Sequence, residues 1–204
     1  MRKLFTLFMI FMMLGSGAFA FSLTSKKVQE EPQLNEITQQ ARVLYAQNDI
    51  DAAYNLLEQK PEEERSAQDW LMMGNIMQDK EQIDKAVYMF HQSINKDPKF
   101  YKAHYNLGYI YLSKEQTNMA LSEFKLAVKY KPDFSYGYYN IGCAYLKLGK
   151  YSAAKYNFFK ALDLRANEPD IYYNLAYSYK MLGKEKQAQT YLDLYNKMIE
   201  QHEL

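Results

Sequence analysis

The pattern Trp70-x-x-Met73-Gly74-x-x-Met77, then Ala86-x-x-x-Phe90, then Pro98, returns at a spacing of 34 residues through most of this chain. A fixed period of that length marks a stack of similar supersecondary units, each packed mainly on its neighbours. The next copy reads His104-x-x-Leu107-Gly108-x-x-Tyr111, Ala120-x-x-x-Phe124, Pro132. It is followed by Tyr138-x-x-Ile141-Gly142-x-x-Tyr145, Ala154-x-x-x-Phe158, with Ala166 in the place of the proline. A fourth runs Tyr172-x-x-Leu175-Ala176-x-x-Tyr179, Ala188-x-x-x-Leu192, and an eroded copy upstream keeps Ile37, Ala41, Leu44, Ala53 and Leu57.

Each copy contains two helical segments, for example residues 102–114 and 118–130. In the first, His104, Leu107, Gly108 and Tyr111 fall at i, i+3, i+4 and i+7, which puts them on one stripe facing a partner helix. Gly108 and Ala120 are small, as a close approach of two backbones requires, and Phe124 fills the space beyond the crossing. Pro98 and Pro132 lack a backbone donor and disfavour helix at the residue before them, so each separates one hairpin from the next. Gly149 and Gly183 suit a left-handed helix cap inside their hairpins. Glu81 and Glu115 occupy that place in the first two full copies, and there the turn is expected to close differently. One hairpin cannot bury its apolar stripe alone, whereas several stacked hairpins make a continuous core.

This arrangement resembles the tetratricopeptide repeat family, over residues 34–204. The resemblance implies an all-α fold, a right-handed superhelical solenoid of antiparallel helix hairpins with about five repeats. Its units are a degenerate repeat at 34–66, full repeats at 67–100, 101–134 and 135–168, and a last repeat with a closing helix at 169–204. Departures gather at the ends, as capping repeats require. Pro61 stops the second helix of the first hairpin early, and the last hairpin carries Tyr195 where the inner ones have Ser93, Ala127 and Ala161. A bulky residue there leaves little room for a further hairpin, so the array is read as complete.

Residues 1–3 form a short basic region, residues 4–14 carry no charge, and Ala18-Phe19-Ala20 offers the small residues a signal peptidase reads. Residues 1–20 are therefore expected to be a secretory signal, with export to the periplasm or the exterior. The alternative is an uncleaved membrane anchor over residues 4–23, close to the ~20 apolar residues that span a bilayer. Position 21 is Phe, not Cys, which argues against a lipid-modified N-terminus, and residues 21–33 read as a flexible linker. Any membrane tether would lie in this N-terminal segment.

Cleavage after Ala20 would leave 23 basic against 24 acidic residues, so no field steers the chain towards nucleic acid. The single cysteine, Cys143, has no partner for an internal disulfide and reads as a small, semi-buried helix residue. His91, His104 and His202 are far apart and none has a metal-ligand partner one helical turn away. His104 takes the core position filled elsewhere by Trp70, Tyr138 and Tyr172, and reads as a packed residue. No phosphate loop, nucleophile elbow or zinc signature occurs. The expectation is a non-enzymatic protein with no catalytic residue, metal or cofactor.

With about 100° per residue, the face of each first helix opposite its core stripe should be polar. Instead it carries Tyr105, Tyr109 and Leu112, then Tyr139, Cys143 and Leu146, then Tyr173, Tyr177 and Lys180. Fifteen of the 20 tyrosines fall between Tyr101 and Tyr179, which concentrates the aromatic face in the last three hairpins. Beside them stand Asn106, Asn140 and Asn174, one per repeat, whose amides could pair with the backbone of an extended peptide. In the family the first helices line the concave side, so the resemblance puts Tyr105, Asn106, Tyr109, Tyr139, Asn140, Tyr173, Asn174 and Tyr177 in a groove for a protein or peptide partner. The asparagines also resemble the ladder of the protein O-linked N-acetylglucosamine transferases, although the first full repeat has Met72 there.

Heat-shock co-chaperones of the family grip a C-terminal carboxylate with lysines, an arginine and asparagines. The matching positions here are Leu71, Asn75, Asn106, Tyr136 and Asn140, or one repeat later Tyr105, Tyr109, Asn140, Asp170 and Asn174, so a carboxylate clamp is not expected. The reading is an exported adaptor or scaffold of the cell envelope that binds an extended peptide or a partner's helix in that groove. Alternatives are a glycan-binding component of a polysaccharide system, since tyrosines also stack on sugars, and a self-assembling spacer. The sequence leaves the oligomeric state open.

Overall fold

The computed structural model describes residues 35–164 and 168–202. The predicted signal at 1–20 with its anchor alternative at 4–23, the linker at 21–33, and Ala166 lie outside the described residues. Among the described residues there are ten α-helices, a 3-10 turn and no strand. They pair as α1 (Glu36–Ala46) with α2 (Ile50–Glu58), α3 (Ala67–Asp79) with α4 (Ile83–Lys96), and α5 (Tyr101–Ser113) with α6 (Thr117–Tyr130). Then come α7 (Ser135–Lys147) with α8 (Tyr151–Asp163) and α9 (Pro169–Met181) with α10 (Glu185–His202). None of these helices is long and apolar enough to cross a membrane.

Each second helix packs on the first helix of the following hairpin, which builds a right-handed superhelical solenoid. First helices also touch one another, α1 with α3, α5 with α7 and α7 with α9, so they line the inner side of the winding. The prolines act as expected. Asp97-Pro98-Lys99-Phe100 and Lys131-Pro132-Asp133-Phe134 are tight turns, closed by bonds from Phe100 N to Asp97 O (3.0 Å) and Phe134 N to Lys131 O (3.1 Å).

Inside each full hairpin the contact differs from the expected crossing of two backbones. A phenylalanine ring lies directly against the glycine. A Cβ on Gly74 would stand 2.5 Å from the Phe90 ring, one on Gly108 2.7 Å from Phe124, and one on Gly142 2.6 Å from Phe158. All three rings are fully buried, as are Ala86, Ala120 and Ala154. In the last hairpin the pair changes together, Ala176 facing a sequence position where Phe has become Leu192.

The hairpin turns overturn one expectation. Glu81 and Glu115 do not close their turns differently; their φ values of 59° and 61° match those of Gly149 and Gly183 at 68° and 69°. Gln82 N bonds Met77 O at 2.8 Å, Gln116 N bonds Tyr111 O at 2.8 Å, and Lys150 N bonds Tyr145 O at 2.9 Å. The same bond joins Asp49 N to Leu44 O beside Asn48, at φ 64°. Satisfying that carbonyl and holding the two helices together outweighs the strain of a left-handed glutamate.

The first hairpin is held to the second by polar groups. After α2 the chain passes Pro61 and a 3-10 turn at Glu62–Glu64, and there Lys60 and Asp69 are buried as an ion pair. Thr38 Oγ1 donates to Asp69 Oδ1 at 2.5 Å, and Ser66 donates to Oδ2 through both N and Oγ at 2.8 Å while capping α3. Burial opposes the charge of Asp69, but the bonds from Lys60, Thr38 and Ser66 outweigh it and hold the carboxyl below its ordinary 3.8. Arg65 closes the corner, donating to the carbonyls of Lys60 (3.0 Å) and Glu58 (3.1 Å) with its guanidinium over the Trp70 ring.

Two outcomes are expected in urea and thermal melts. Glu115→Gly raises stability by about 0.5–1 kcal/mol, because the left-handed strain is removed at some cost in chain entropy, and Gly149→Glu lowers it by a similar amount. Asp69→Asn leaves Lys60 buried without a counter-charge and costs about 3–5 kcal/mol. In the unaltered protein that contribution is present above pH 3.8 and fades as the pH falls through the lowered value.

Candidate functional site

The eight residues expected to line the groove all lie on the first helices α5, α7 and α9, but they divide into two kinds. Tyr105 and Tyr139 are half-buried and lean on the core phenylalanines, Tyr105 on Phe124 at 5.8 Å between ring centroids and Tyr139 on Phe158 at 5.9 Å. Tyr105 also meets Phe134 edge-on at 4.9 Å. Burial is the first cause that raises both hydroxyls above their usual pKa. Tyr173 has no such ring beneath it, since Leu192 stands where the phenylalanine would be. It is 51% exposed and tilts against Tyr195 at 5.5 Å.

Asn106 and Asn140 spend their amides inside the protein. Asn106 Nδ2 donates to Asn75 Oδ1 at 2.7 Å. Asn140 is 8% exposed and donates to the Tyr105 hydroxyl (3.0 Å) and the Tyr136 carbonyl (3.2 Å), which uses both its amide hydrogens. The Asn174 amide lies beside the Tyr139 hydroxyl and partly offsets the effect of burial on it. Together with the Tyr45 hydroxyl, which donates to Asp79, the bonds of Asn106 and Asn140 join α1 to α3, α3 to α5 and α5 to α7. One side-chain staple thus links each successive pair of first helices from α1 to α7. Burial raises the Tyr45 hydroxyl to about 12, helped by its bond to Asp79 and the carboxylate's charge.

Of the eight, Tyr109, Tyr173 and Tyr177 are exposed, and Met181 is exposed beyond them on α9. Tyr136, which was not among the expected residues, is exposed as well and donates to Glu168 Oε1 at 3.2 Å. Cys143 takes the place of Tyr109 and Tyr177 in the middle repeat, where burial pushes its thiol up to about 11 and makes it unreactive at neutral pH.

Tyr105, Asn106 and Tyr109 also line an open cleft of about 320 Å³ with Tyr45, Asn75, Gln78 and Asp79. It lies upstream of the expected groove, between α1, α3 and α5. The repeat period contains a signal for part of it: Asn75 stands where the next repeat has Tyr109, and Gln78 where it has Leu112. Tyr45 is hidden because the first hairpin runs one residue short of the period.

His104 is buried as expected, with Nδ1 2.7 Å from Glu123 Oε2 and Nε2 3.0 Å from the Pro98 carbonyl. Burial works to lower its pKa, but two acceptors and the charges of Glu123 and Asp97 raise it above 6.5. The stability from its charge is therefore complete below 6.5 and is lost as the pH rises through the raised value. Among the described residues no group of three His, Cys, Asp or Glu is placed to hold a metal ion.

Family models described as tetratricopeptide repeats match residues 89–122 and 169–202, and one described as a TPR repeat matches 142–183. No curated protein sequence matches the chain. Among solved structures, MamA of AMB-1 is similar with a TM-score of 0.69 at 21% identity, over 80% of this chain and 90% of that one. MamA of MSR-1 gives 0.68 at 22% identity over 81% and 96%. MamA 41-end from Desulfovibrio magneticus RS-1 gives 0.71 at 18% over 83% and 98%. At these identities the likeness is one of fold.

A double-mutant cycle on Tyr105→Phe and Asn140→Ala tests the staple. Each single change is expected to lower stability, and the coupling between them, read from urea melts, to be about 0.5–1.5 kcal/mol. A coupling of zero would mean that the bond contributes nothing to holding α5 and α7 together.

Proposed function

We propose that this chain, which belongs to the tetratricopeptide repeat family, is a non-enzymatic adaptor of the cell envelope that holds a partner's extended segment along the inner face of its first helices. The observation that carries this reading is the row of exposed tyrosines, Tyr109, Tyr173 and Tyr177, on a face where solvated helices should be polar. A tyrosine loses only two side-chain torsions on binding, buries a large apolar area and keeps a hydroxyl for a polar partner, which is why it favours protein interfaces. Export rests on the basic, apolar and Ala-x-Ala order of residues 1–20.

Tyr105 and Tyr139 are poor probes of binding, because alanine at either would uncover a core phenylalanine. The exposed set separates binding from folding. The full chain and its Tyr109→Ala, Tyr173→Ala, Tyr177→Ala form are compared by affinity capture from solubilised envelope material. A partner is expected to be retained by the unaltered chain and to bind about tenfold or more weakly to the triple variant, which still unfolds cooperatively at a slightly lower temperature because it loses the Tyr173–Tyr195 and Tyr177–Tyr151 contacts. Equal retention by both would sink the reading.

A further inference from the structure

We propose that the cleft between α1, α3 and α5 receives the ammonium or guanidinium group of a lysine or arginine in the partner's segment, with Asp79 as its counter-ion. The inference rests on the inner-face reading above and gives it a chemical preference. The cleft is lined by the rings of Tyr45, Tyr105 and Tyr109, by the amides of Asn75, Gln78 and Asn106, and by one charged group, Asp79. Its volume of about 320 Å³ suits one long side chain, at the small end of ligand clefts.

Asp79 is electrostatically out of place. It is the last residue of α3, where the helix presents its unpaired carbonyls and the negative end of its dipole, so a carboxylate there is repelled and a cation attracted. The equivalent residues at the ends of α5, α7 and α9 are Ser113, Lys147 and Met181, none of them acidic. The acids near the neighbouring hairpin turns, Asp51 and Asp84, are each paired with a lysine, Lys80 and Lys114. Among the described residues no lysine, arginine or histidine forms an ion pair with Asp79. Among the described residues its side-chain hydrogen bond is from the Tyr45 hydroxyl to Oδ2, a bond that orients the carboxylate without neutralising it. An uncompensated carboxylate at a helix C-terminus, inside a tyrosine-lined cleft, favours a cation through Coulomb attraction and through the electron-rich ring faces.

The test is a selection of displayed random twelve-residue peptides on the full chain, in parallel with Asp79→Asn, which keeps an acceptor for Tyr45. The expected result is a set of peptides with lysine or arginine fixed at one position. These peptides should lose about tenfold in affinity on Asp79→Asn and a similar factor when the basic residue is replaced by glutamine. Thermal melts of the two proteins should coincide. Peptides selected without a basic position, or held equally by Asp79→Asn, would overturn the assignment of the cleft and leave the groove standing. No peptide selected by either protein would overturn the groove reading and this one with it.

Discussion

The contact on which the solenoid depends is the phenylalanine ring laid over a glycine within each full hairpin. It fixes the separation of the two helices, since any side chain on Gly74, Gly108 or Gly142 would occupy the space of the ring. It also reaches the opposite face, because Tyr105 and Tyr139 lean on the same rings that cover Gly108 and Gly142. Core and surface are thereby coupled. In the last hairpin, where Leu192 stands in place of the phenylalanine, Tyr173 is exposed and packs on Tyr195 instead.

The first hairpin solves a different problem. With a short α2 it has less apolar surface to offer α3, and the junction is made by Lys60, Asp69, Thr38 and Ser66. A buried ion pair adds little net stability over apolar packing of equal volume, but its geometry is demanding, and a slip by one residue would leave both charges unpaired. The pair therefore fixes the register of a hairpin whose repeat is one residue short.

The repeat, the helix pairs and the packed His104 were legible in the sequence because they depend on spacing and residue size. The cause of the glycines was only partly so: Gly108 and Phe124 were visible, but the ring lying on the glycine depends on a rotamer that spacing does not give. The turns at Glu81 and Glu115 were misread because local preference favours glycine, whereas the hairpin enforces the left-handed conformation through a tertiary requirement. Asn106, Asn140 and Asn174 were legible as a ladder, but the partners of Asn106 and Asn140 on the preceding first helix depend on the distance between repeats. Lys60 and Asp69 carry no periodic signal at all.

The staples change what the inner face can offer. Amides committed to Asn75 and Tyr105, with the Tyr45 hydroxyl on Asp79, hold the first helices from α1 to α7 at a fixed separation. In the proposed role, a surface organised in this way pays little ordering entropy on binding, and it selects partners whose side chains match its pitch. Asn140, which is 8% exposed, then acts on recognition through geometry, whereas the exposed tyrosines and the cleft around Asp79 act through contact. Weakening the bond between Asn140 and Tyr105 would alter the spacing between anchors and reduce affinity even though Asn140 itself never touches the partner.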